Sequence, residues 1–236
     1  KGRAMSAAIL LAGHGAPRHP AAQQAIIAQA AALAATTGAT VRAGFLTAAP
    51  SLVEAAAELG YASPVVLPMF MADGYLVRQA VPQALGRHAR MLPPLGIMPG
   101  LARVIADRAL AGCTAAGMAA AGTTLLIVAH GSARSNASRQ AATVQAARVR
   151  DMARFGAVEL AFIEEPPFLD EQCHRIDGDI VVLGFFAAPG AHASEDVPRL
   201  MASNPDGASR RRVYTGPIGA DAAILPLLAA AVAAGG

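Results

Sequence analysis

The chain has 236 residues, 54% of them hydrophobic, and a formal net charge of +3. Its 19 lysine and arginine residues are spread along the whole length and tryptophan is absent, which disfavours a nucleic-acid-binding protein and favours a small acidic ligand. The most apolar stretch, residues 222–236, is shorter than the roughly 20 residues of a membrane-spanning helix, so a membrane protein is also disfavoured.

In the first half of the chain, predicted strands alternate with predicted helices. Continuous apolar runs indicate strands that are buried on both faces, and alanine-rich segments between them indicate helices. The predicted order is strand 7–12, helix 20–36, strand 41–46, helix 51–59, strand 64–70, a helix from residue 77, a weak strand 90–96 and helix 101–111.

The second half follows the same order. Its predicted elements are strand 124–129, helix 137–153, strand 158–163, helix 168–175, strand 179–186, a helix from residue 194, strand 212–215 and helix 222–234. Strands that alternate with helices predict an α/β protein whose parallel sheets are covered on both faces.

The cysteines and the N-terminus bear on the compartment. Cys113 and Cys173 are far apart and form no Cys-x-x-Cys pair, so the sequence predicts neither a disulfide framework nor a thiolate zinc site. Residues 1–4 precede Met5 and are interpreted as a vector remnant rather than a signal peptide. We therefore expect a cytoplasmic protein.

The two halves are copies of one unit. Matching positions are separated by 116 or 117 residues: His14 and His130, Thr47 and Glu164, Leu76 and His192, and Pro82 and Pro198. A repeat of this size predicts two similar lobes, each large enough to bury its own core. We expect an N-terminal lobe over residues 5–115 and a C-terminal lobe over residues 122–236, joined where Gly, Ala and Thr accumulate.

The reactive side chains are concentrated in the second copy. His130 ends its first strand, Glu164 ends its second, and His192 follows its third. The carboxyl ends of parallel strands share one edge of a sheet, where ligands of α/β proteins bind. Imidazole and carboxylate suit a divalent first-row metal and can also accept protons near neutral pH.

Alternatives exist for two of these residues. The Gly-His-Gly turn at His14 can carry an incidental histidine, but recurrence of the histidine at the matching position, His130, argues against that interpretation. Glu165 directly follows Glu164 and is the alternative carboxylate. We prefer Glu164 because it occupies the place of Thr47 in the repeat.

The sequence resembles the sirohydrochlorin chelatases, the cobaltochelatase/ferrochelatase family of class II chelatases, in their two-lobed long form. The resemblance covers nearly the whole chain. Its motifs are LLAGHG at 10–15, VVLPMF at 65–70 and GYLV at 74–77 in the first copy, and IVAHGSAR at 127–134, AFIE at 161–164, VVLGFF at 181–186 and EDVP at 195–198 in the second.

The resemblance implies a chelatase-like fold of two similar lobes that face each other across a cleft, each with a central parallel four-stranded sheet flanked by helices. It implies insertion of Co²⁺ or Fe²⁺ into sirohydrochlorin, a tetrapyrrole with eight carboxylates, on the way to cobalamin or sirohaem. The metal is then a substrate, and no organic cofactor is implied. We expect a monomer or homodimer with no nucleic-acid or membrane partner.

The resemblance also implies roles for residues. His130, His192 and Glu164 would bind the metal, and His14 would take part as a proton acceptor or accessory ligand. Arg134, Arg139 and Arg78 would pair with substrate carboxylates, since arginine suits bidentate carboxylate recognition; ordinary surface charge is the alternative for each.

The first copy departs from the family pattern. It has Leu76 opposite His192, Thr47 opposite Glu164 and Ala80 opposite Asp196. Either the working site lies in the C-terminal half, or the activity has been lost or changed. We favour the first, since a relaxed site would lose all its ligands. The competing hypotheses are a non-catalytic tetrapyrrole or metal-binding protein derived from a chelatase, and a chelatase for a related tetrapyrrole.

Overall fold

The computed structural model describes residues 8–60, 64–86, 89–202 and 210–235. The first half of the chain contains, in order, β1 (Ala8–Gly13), α1 (Pro20–Thr37), β2 (Thr40–Phe45), α2 (Leu52–Glu58), β3 (Val65–Pro68), α3 (Val81–Leu85), β4 (Arg90–Met91) and α4 (Leu101–Ala115). The second half contains β5 (Thr124–Ala129), α5 (Ala137–Asp151), β6 (Ala157–Phe162), α6 (Leu169–Arg175), β7 (Ile180–Gly184), α7 (Val197–Ala202), β8 (Arg212–Pro217) and α8 (Leu225–Gly235).

Two four-stranded sheets with the same topology result. The first has the strand order β2-β1-β3-β4 and the second has the order β6-β5-β7-β8, and all their pairings are parallel. The central strand β1 is buried along its whole length, as its continuous apolar sequence predicts. The predicted α/β fold with parallel four-stranded sheets is confirmed.

Helix boundaries follow local signals. Pro20 begins α1, and Gly38 ends it in the left-handed conformation, with φ +70°. At α2, the side chain of Ser51 accepts from the backbone of Glu54, whose carboxylate accepts from the backbone of Ser51 in return. This contact holds the pKa of Glu54 below its ordinary value.

Two predicted elements differ from the structure. The predicted strand 90–96 ends at Met91, because Pro93 and Pro94 cannot donate to a sheet ladder. The helices predicted from residues 77 and 194 each begin with a π-helical turn, Leu76–Ala80 and His192–Asp196. A proline follows each turn at the second position of the next helix, where it cannot donate to the residue four positions earlier.

The compact units differ from the predicted lobes, residues 5–115 and 122–236, in the helices that each contains. One unit comprises Lys1–Met98 and Ala222–Gly236, and the other comprises Pro99–Asp221. The last helix of each repeat copy therefore packs on the sheet formed by the other copy: α8 contacts α1 and β3, whereas α4 contacts β7, β8 and α5.

The packing of α4 explains this exchange. Gly112 lies so close to β8 that a Cβ atom on it would be 2.5 Å from Cγ2 of Thr215. Arg108 donates to the carbonyl of Thr215, and Arg211 donates to the carbonyls of Ala116 and Gly117 just after α4. Neither the close approach nor these long-range hydrogen bonds can be recognised from a repeat period. Among the described residues, no helix is both long and apolar enough to cross a membrane.

Candidate metal centre

Three side chains meet at the carboxyl edge of the second sheet. His130 directly follows β5, Glu164 lies two residues beyond β6, and His192 begins the π-helical turn after β7. One nitrogen or oxygen atom from each of the three residues lies within 4.8 Å of the other two. The structure thus brings together the three residues that the sequence predicts as metal ligands.

The two imidazoles contact each other through their Nε2 atoms. These atoms are 3.0 Å apart, and the rings are nearly perpendicular, with an interplanar angle of 88°. Two nitrogen ligands that bind a first-row metal at about 2.1 Å and at right angles are themselves about 3.0 Å apart. The spacing therefore suits binding of one ion by both rings in adjacent coordination positions.

Glu164 supplies the nearby carboxylate. Its Oε2 atom is 3.5 Å from Nδ1 of His130, and its side chain is 52% exposed. The backbone N–H of Glu164 donates to the carbonyl of His130 over 2.9 Å, which fixes the two loops side by side. An exposed carboxylate next to two half-exposed imidazoles can reach both an ion from solvent and a bound substrate.

Glu165 points into the loop that carries His130. Its carboxylate accepts from the backbone N–H of Ser132 over 3.2 Å and from Arg139 over 2.8 Å, and its side chain is only 14% exposed. A Cβ atom on Gly131, whose φ is +76°, would be 2.6 Å from Cγ of Glu165, so only glycine fits this turn. Glu165 therefore supports the turn, and of the two adjacent glutamates Glu164 is the one that joins the imidazoles.

The predicted role of Arg139 in substrate binding needs correction. Its guanidinium lies 4.5 Å above the ring of Phe162, pairs with Glu165 and also donates to the carbonyl of Pro166. Because its Nε and Nη2 atoms donate inside the unit, Arg139 stabilises the loop. We therefore leave it out of the substrate-binding set.

The other predicted arginines are exposed. Arg134 lies on the loop after His130, and its backbone N–H donates to the hydroxyl of Ser132. Its guanidinium makes no ion pair with any residue that the structure describes. Arg78, in the first unit, pairs with Asp73 over 2.9 Å, and this contact raises the pKa of its guanidinium.

The corresponding edge of the first sheet has a different chemistry. His14 is exposed after β1, but the hydroxyl of Thr47 donates to the carbonyls of His14 and Gly15. Leu76 packs against the hydrophobic core of its unit. Within the described parts of the chain, His130, Glu164 and His192 form the only group of three side chains that could hold a metal ion.

A further carboxylate contacts the site, and the sequence reasoning did not assign it a role. Asp196 lies one turn after His192, and its Oδ2 atom is 2.8 Å from Nδ1 of the imidazole. Its other oxygen accepts from Arg199 over 2.8 Å. Hydrogen bonds from Arg199 and then from His192 hold the pKa of Asp196 below its ordinary value. The signal in the sequence was that Ala80 and Leu76 replace both members of the pair in the first copy.

The chain matches the model of the CbiX family over residues 8–111 and 124–234, which lie one in each copy of the repeat. It belongs to this family. The predicted resemblance to the class II chelatases is thereby confirmed, and each copy of the repeat carries its own match to the family.

Similar proteins agree with this assignment. A solved structure of CbiX, described as the terminal enzyme for biosynthesis of siroheme in denitrifying bacteria, is 30% identical, with a TM-score of 0.83 over 96% of this chain and 98% of that one. A probable sirohydrochlorin cobaltochelatase of Halobacterium salinarum is 27% identical over 223 residues, which are 81% of this chain and 75% of the relative.

A more distant structure shares the fold. The sirohydrochlorin chelatase SirB from Bacillus subtilis subspecies spizizenii, in complex with cobalt, is 20% identical. Its TM-score is 0.68, over 94% of this chain and 92% of that chain. At this identity the likeness is evidence for the fold alone.

Proposed function

We propose that this CbiX-family chain is a sirohydrochlorin metal chelatase, which inserts Co²⁺ or Fe²⁺ into the macrocycle for cobalamin or sirohaem synthesis. The observation that carries the proposal is the pair of imidazoles whose Nε2 atoms are 3.0 Å apart at a sheet edge. The descriptions of the Halobacterium relative as a probable cobaltochelatase and of CbiX as a siroheme enzyme support the same reaction.

The proposed reaction exchanges ligands on the metal. His130 and His192 hold the ion through their Nε2 atoms, and the tetrapyrrole approaches with its nitrogens facing them. As the ion moves from the imidazoles to the macrocycle, two pyrrole N–H groups lose their protons. Glu164, exposed and 3.5 Å from His130, accepts protons there or helps to deliver the ion.

Arginine side chains and His14 complete the proposal. Sirohydrochlorin is a polycarboxylate, and Arg134 lies on the loop that carries His130 with its guanidinium exposed. We propose that Arg134 binds a substrate carboxylate, and we assign the same role to Arg78 with a smaller contribution, because Asp73 already neutralises it. We also propose that His14 acts as an accessory proton acceptor.

The remaining properties follow the family expectation. We propose that the chain works in the cytoplasm as a monomer or homodimer, without an organic cofactor and without a nucleic-acid or membrane partner. Light scattering of the purified chain measures the oligomeric state directly, and a larger assembly would contradict this part of the proposal.

A chelation assay tests the function. Purified protein, sirohydrochlorin and Co²⁺ are mixed, and the change in absorbance on metallation is followed against the same mixture without protein; Fe²⁺ and Ni²⁺ are assayed in parallel, iron without oxygen. We expect acceleration with Co²⁺ or Fe²⁺. No acceleration with any of the three metals would overturn the enzyme proposal. Tight tetrapyrrole binding without turnover would select the non-catalytic carrier, and faster metallation of another tetrapyrrole would reassign the substrate.

A further inference from the structure

Both imidazoles of the metal centre have their Nδ1 atoms next to oxygen acceptors. Nδ1 of His130 is 2.8 Å from the carbonyl oxygen of Gly131, and Nδ1 of His192 is 2.8 Å from Oδ2 of Asp196. A carbonyl or a carboxylate can only accept a hydrogen bond, so each Nδ1 carries the proton. In a neutral imidazole the other nitrogen, Nε2, then has a free lone pair.

The two Nε2 lone pairs therefore lie next to each other. Because the Nε2 atoms of His130 and His192 are 3.0 Å apart, the pair is stabilised only when a positive charge, a metal ion or a proton, lies next to both. Each ring is held in the tautomer that makes this contact repulsive without a cation. The surroundings of the two imidazoles thus favour capture of an ion.

Asp196 is held in place from its other side by Arg199. The guanidinium donates to Oδ1 of Asp196 over 2.8 Å, while Oδ2 faces His192. Arginine can only donate, so it keeps an acceptor oxygen pointed at itself. The second oxygen of the carboxylate remains available to accept a hydrogen bond from the imidazole. In an amide the second polar atom is a nitrogen, which can only donate.

The first copy indicates that this carboxylate is not needed for folding of the turn. The π-helical turn Leu76–Ala80 has the same shape as His192–Asp196 but has alanine at its last position. Gln83 stands opposite Arg199. Imidazole, carboxylate and guanidinium are therefore absent together from the edge where the described residues form no cluster of possible metal ligands.

We propose that Asp196, oriented by Arg199, is a positioning residue that fixes the Nδ1–H tautomer of His192, so that both imidazoles present Nε2 lone pairs to one incoming metal ion. The proposal deepens the proposed chelatase function and rests on it for the fate of the ion. Capture of the ion can be measured without a tetrapyrrole, which separates the two.

The test compares D196N with D196A. In D196N, Arg199 draws the amide oxygen to itself, so that the amide NH₂ faces Nδ1 of His192 and forces the proton onto Nε2. In D196A the tautomer is free. Co²⁺ affinity should therefore fall in the order wild type, D196A, D196N, with the last about tenfold to 100-fold weaker than the first. A merely structural role predicts the opposite order for the two variants, because asparagine preserves the shape of aspartate.

Two measurements distinguish a positioning role of Asp196 from a structural one. Calorimetric titration with Co²⁺ alone gives the affinities, and ¹⁵N shifts of the histidine rings in the metal-free protein identify the protonated nitrogen of His192. The matched control is E159Q, which removes a carboxylate of β6 that pairs with Arg175. It should bind Co²⁺ like wild type. Alanine already occupies this turn in the first copy, so D196A is expected to fold even if D196N does not, and it must still bind more weakly than wild type.

Equal Co²⁺ affinity of D196A and wild type, tighter binding by D196N than by D196A, or an unchanged tautomer of His192 in D196N would overturn the proposal. If the predicted order of affinities holds but sirohydrochlorin is not metallated by the wild type, the positioning role stands and the chelatase function fails.

Discussion

At the carboxyl edge of the first sheet His14 is accompanied by Thr47 and Leu76, whereas at the same edge of the second sheet His130 is accompanied by Glu164 and His192. The backbones of the two edges are alike. A glycine with positive φ follows each histidine, +87° and +76°, and a π-helical turn follows the third strand of each sheet. The same framework thus forms with Thr47 and Leu76 in the places of Glu164 and His192, so folding of the second edge does not require these two side chains.

The first way to break the contrast is to give the second edge the leucine of the first. In H192L one of the two nitrogens that we propose to bind the metal is lost, and we expect the chelation rate to approach the uncatalysed rate, a loss of at least about 100-fold. The fold should survive, because the same turn holds Leu76 in the first unit. The chelation assay with Co²⁺ and a thermal unfolding curve measure both effects.

H14A is the matched variant of the first edge and should keep most of the activity. If H14A abolishes chelation while H192L leaves it, the first unit hosts the chemistry and our assignment of the two edges is reversed.

A second set of variants tests the two adjacent glutamates, Glu164 and Glu165. E164T introduces the residue of the first edge, and loss of a proton acceptor should lower the rate about 100-fold while Co²⁺ affinity changes less. E165Q should act on stability instead, since Glu165 supports the His130 loop through Ser132 and Arg139. Rate, Co²⁺ affinity and melting temperature of both variants separate these roles. A larger effect of E165Q on rate than on stability would make Glu165 the working group.

A third variant gives the first edge two residues of the second. L76H/A80D places an imidazole and its carboxylate near His14, and we expect it to form a second Co²⁺ site. In L76H alone, this site should bind Co²⁺ more weakly. Leu76 packs on the core, so the variant should also cost about 1–3 kcal/mol of stability. Calorimetric stoichiometry reports the new site. Unchanged stoichiometry in the double variant would mean that the two edges differ in more than these side chains.

The smallest effect concerns the exchanged helices. The sequence of α8 contains no charged residue, whereas Arg211 anchors the end of α4 and pairs with Asp179. Hydrogen bonds from Arg211 hold the pKa of Asp179 below its ordinary value, so this pair stabilises the fold at neutral pH and the contribution is lost as the pH falls through the folded-state pKa.

R211Q should therefore lower the melting temperature by about 1–3 °C at neutral pH and by less in acid, since exposed pairs contribute little. Melting curves across a pH series measure the difference. A difference that grows in acid would contradict the assigned sign.

The candidate site was predictable to the extent that it depends on strand ends. His130, Glu164 and His192 could be placed on one edge because each follows a strand and parallel strands end together. The choice between Glu164 and Glu165 depends on which side chain points into the His130 loop, and adjacent residues in a sequence do not reveal that direction. The use of Arg139 depends on Phe162 and Glu165, which are far from it in the chain.

The sequence by itself determined the two parallel sheets, the order of their elements and the unequal edges, because these follow from apolar periodicity, from the repeat interval and from residue identity at matching positions. Only the tertiary structure decided which helix covers which sheet, since a repeat period says nothing about where a terminal helix packs. It also decided the contact of Asp196 with Nδ1 of His192 and the 3.0 Å approach of the two imidazoles. Hydrogen bonds and close packing act over a few ångströms, and such distances exist only once the chain has folded.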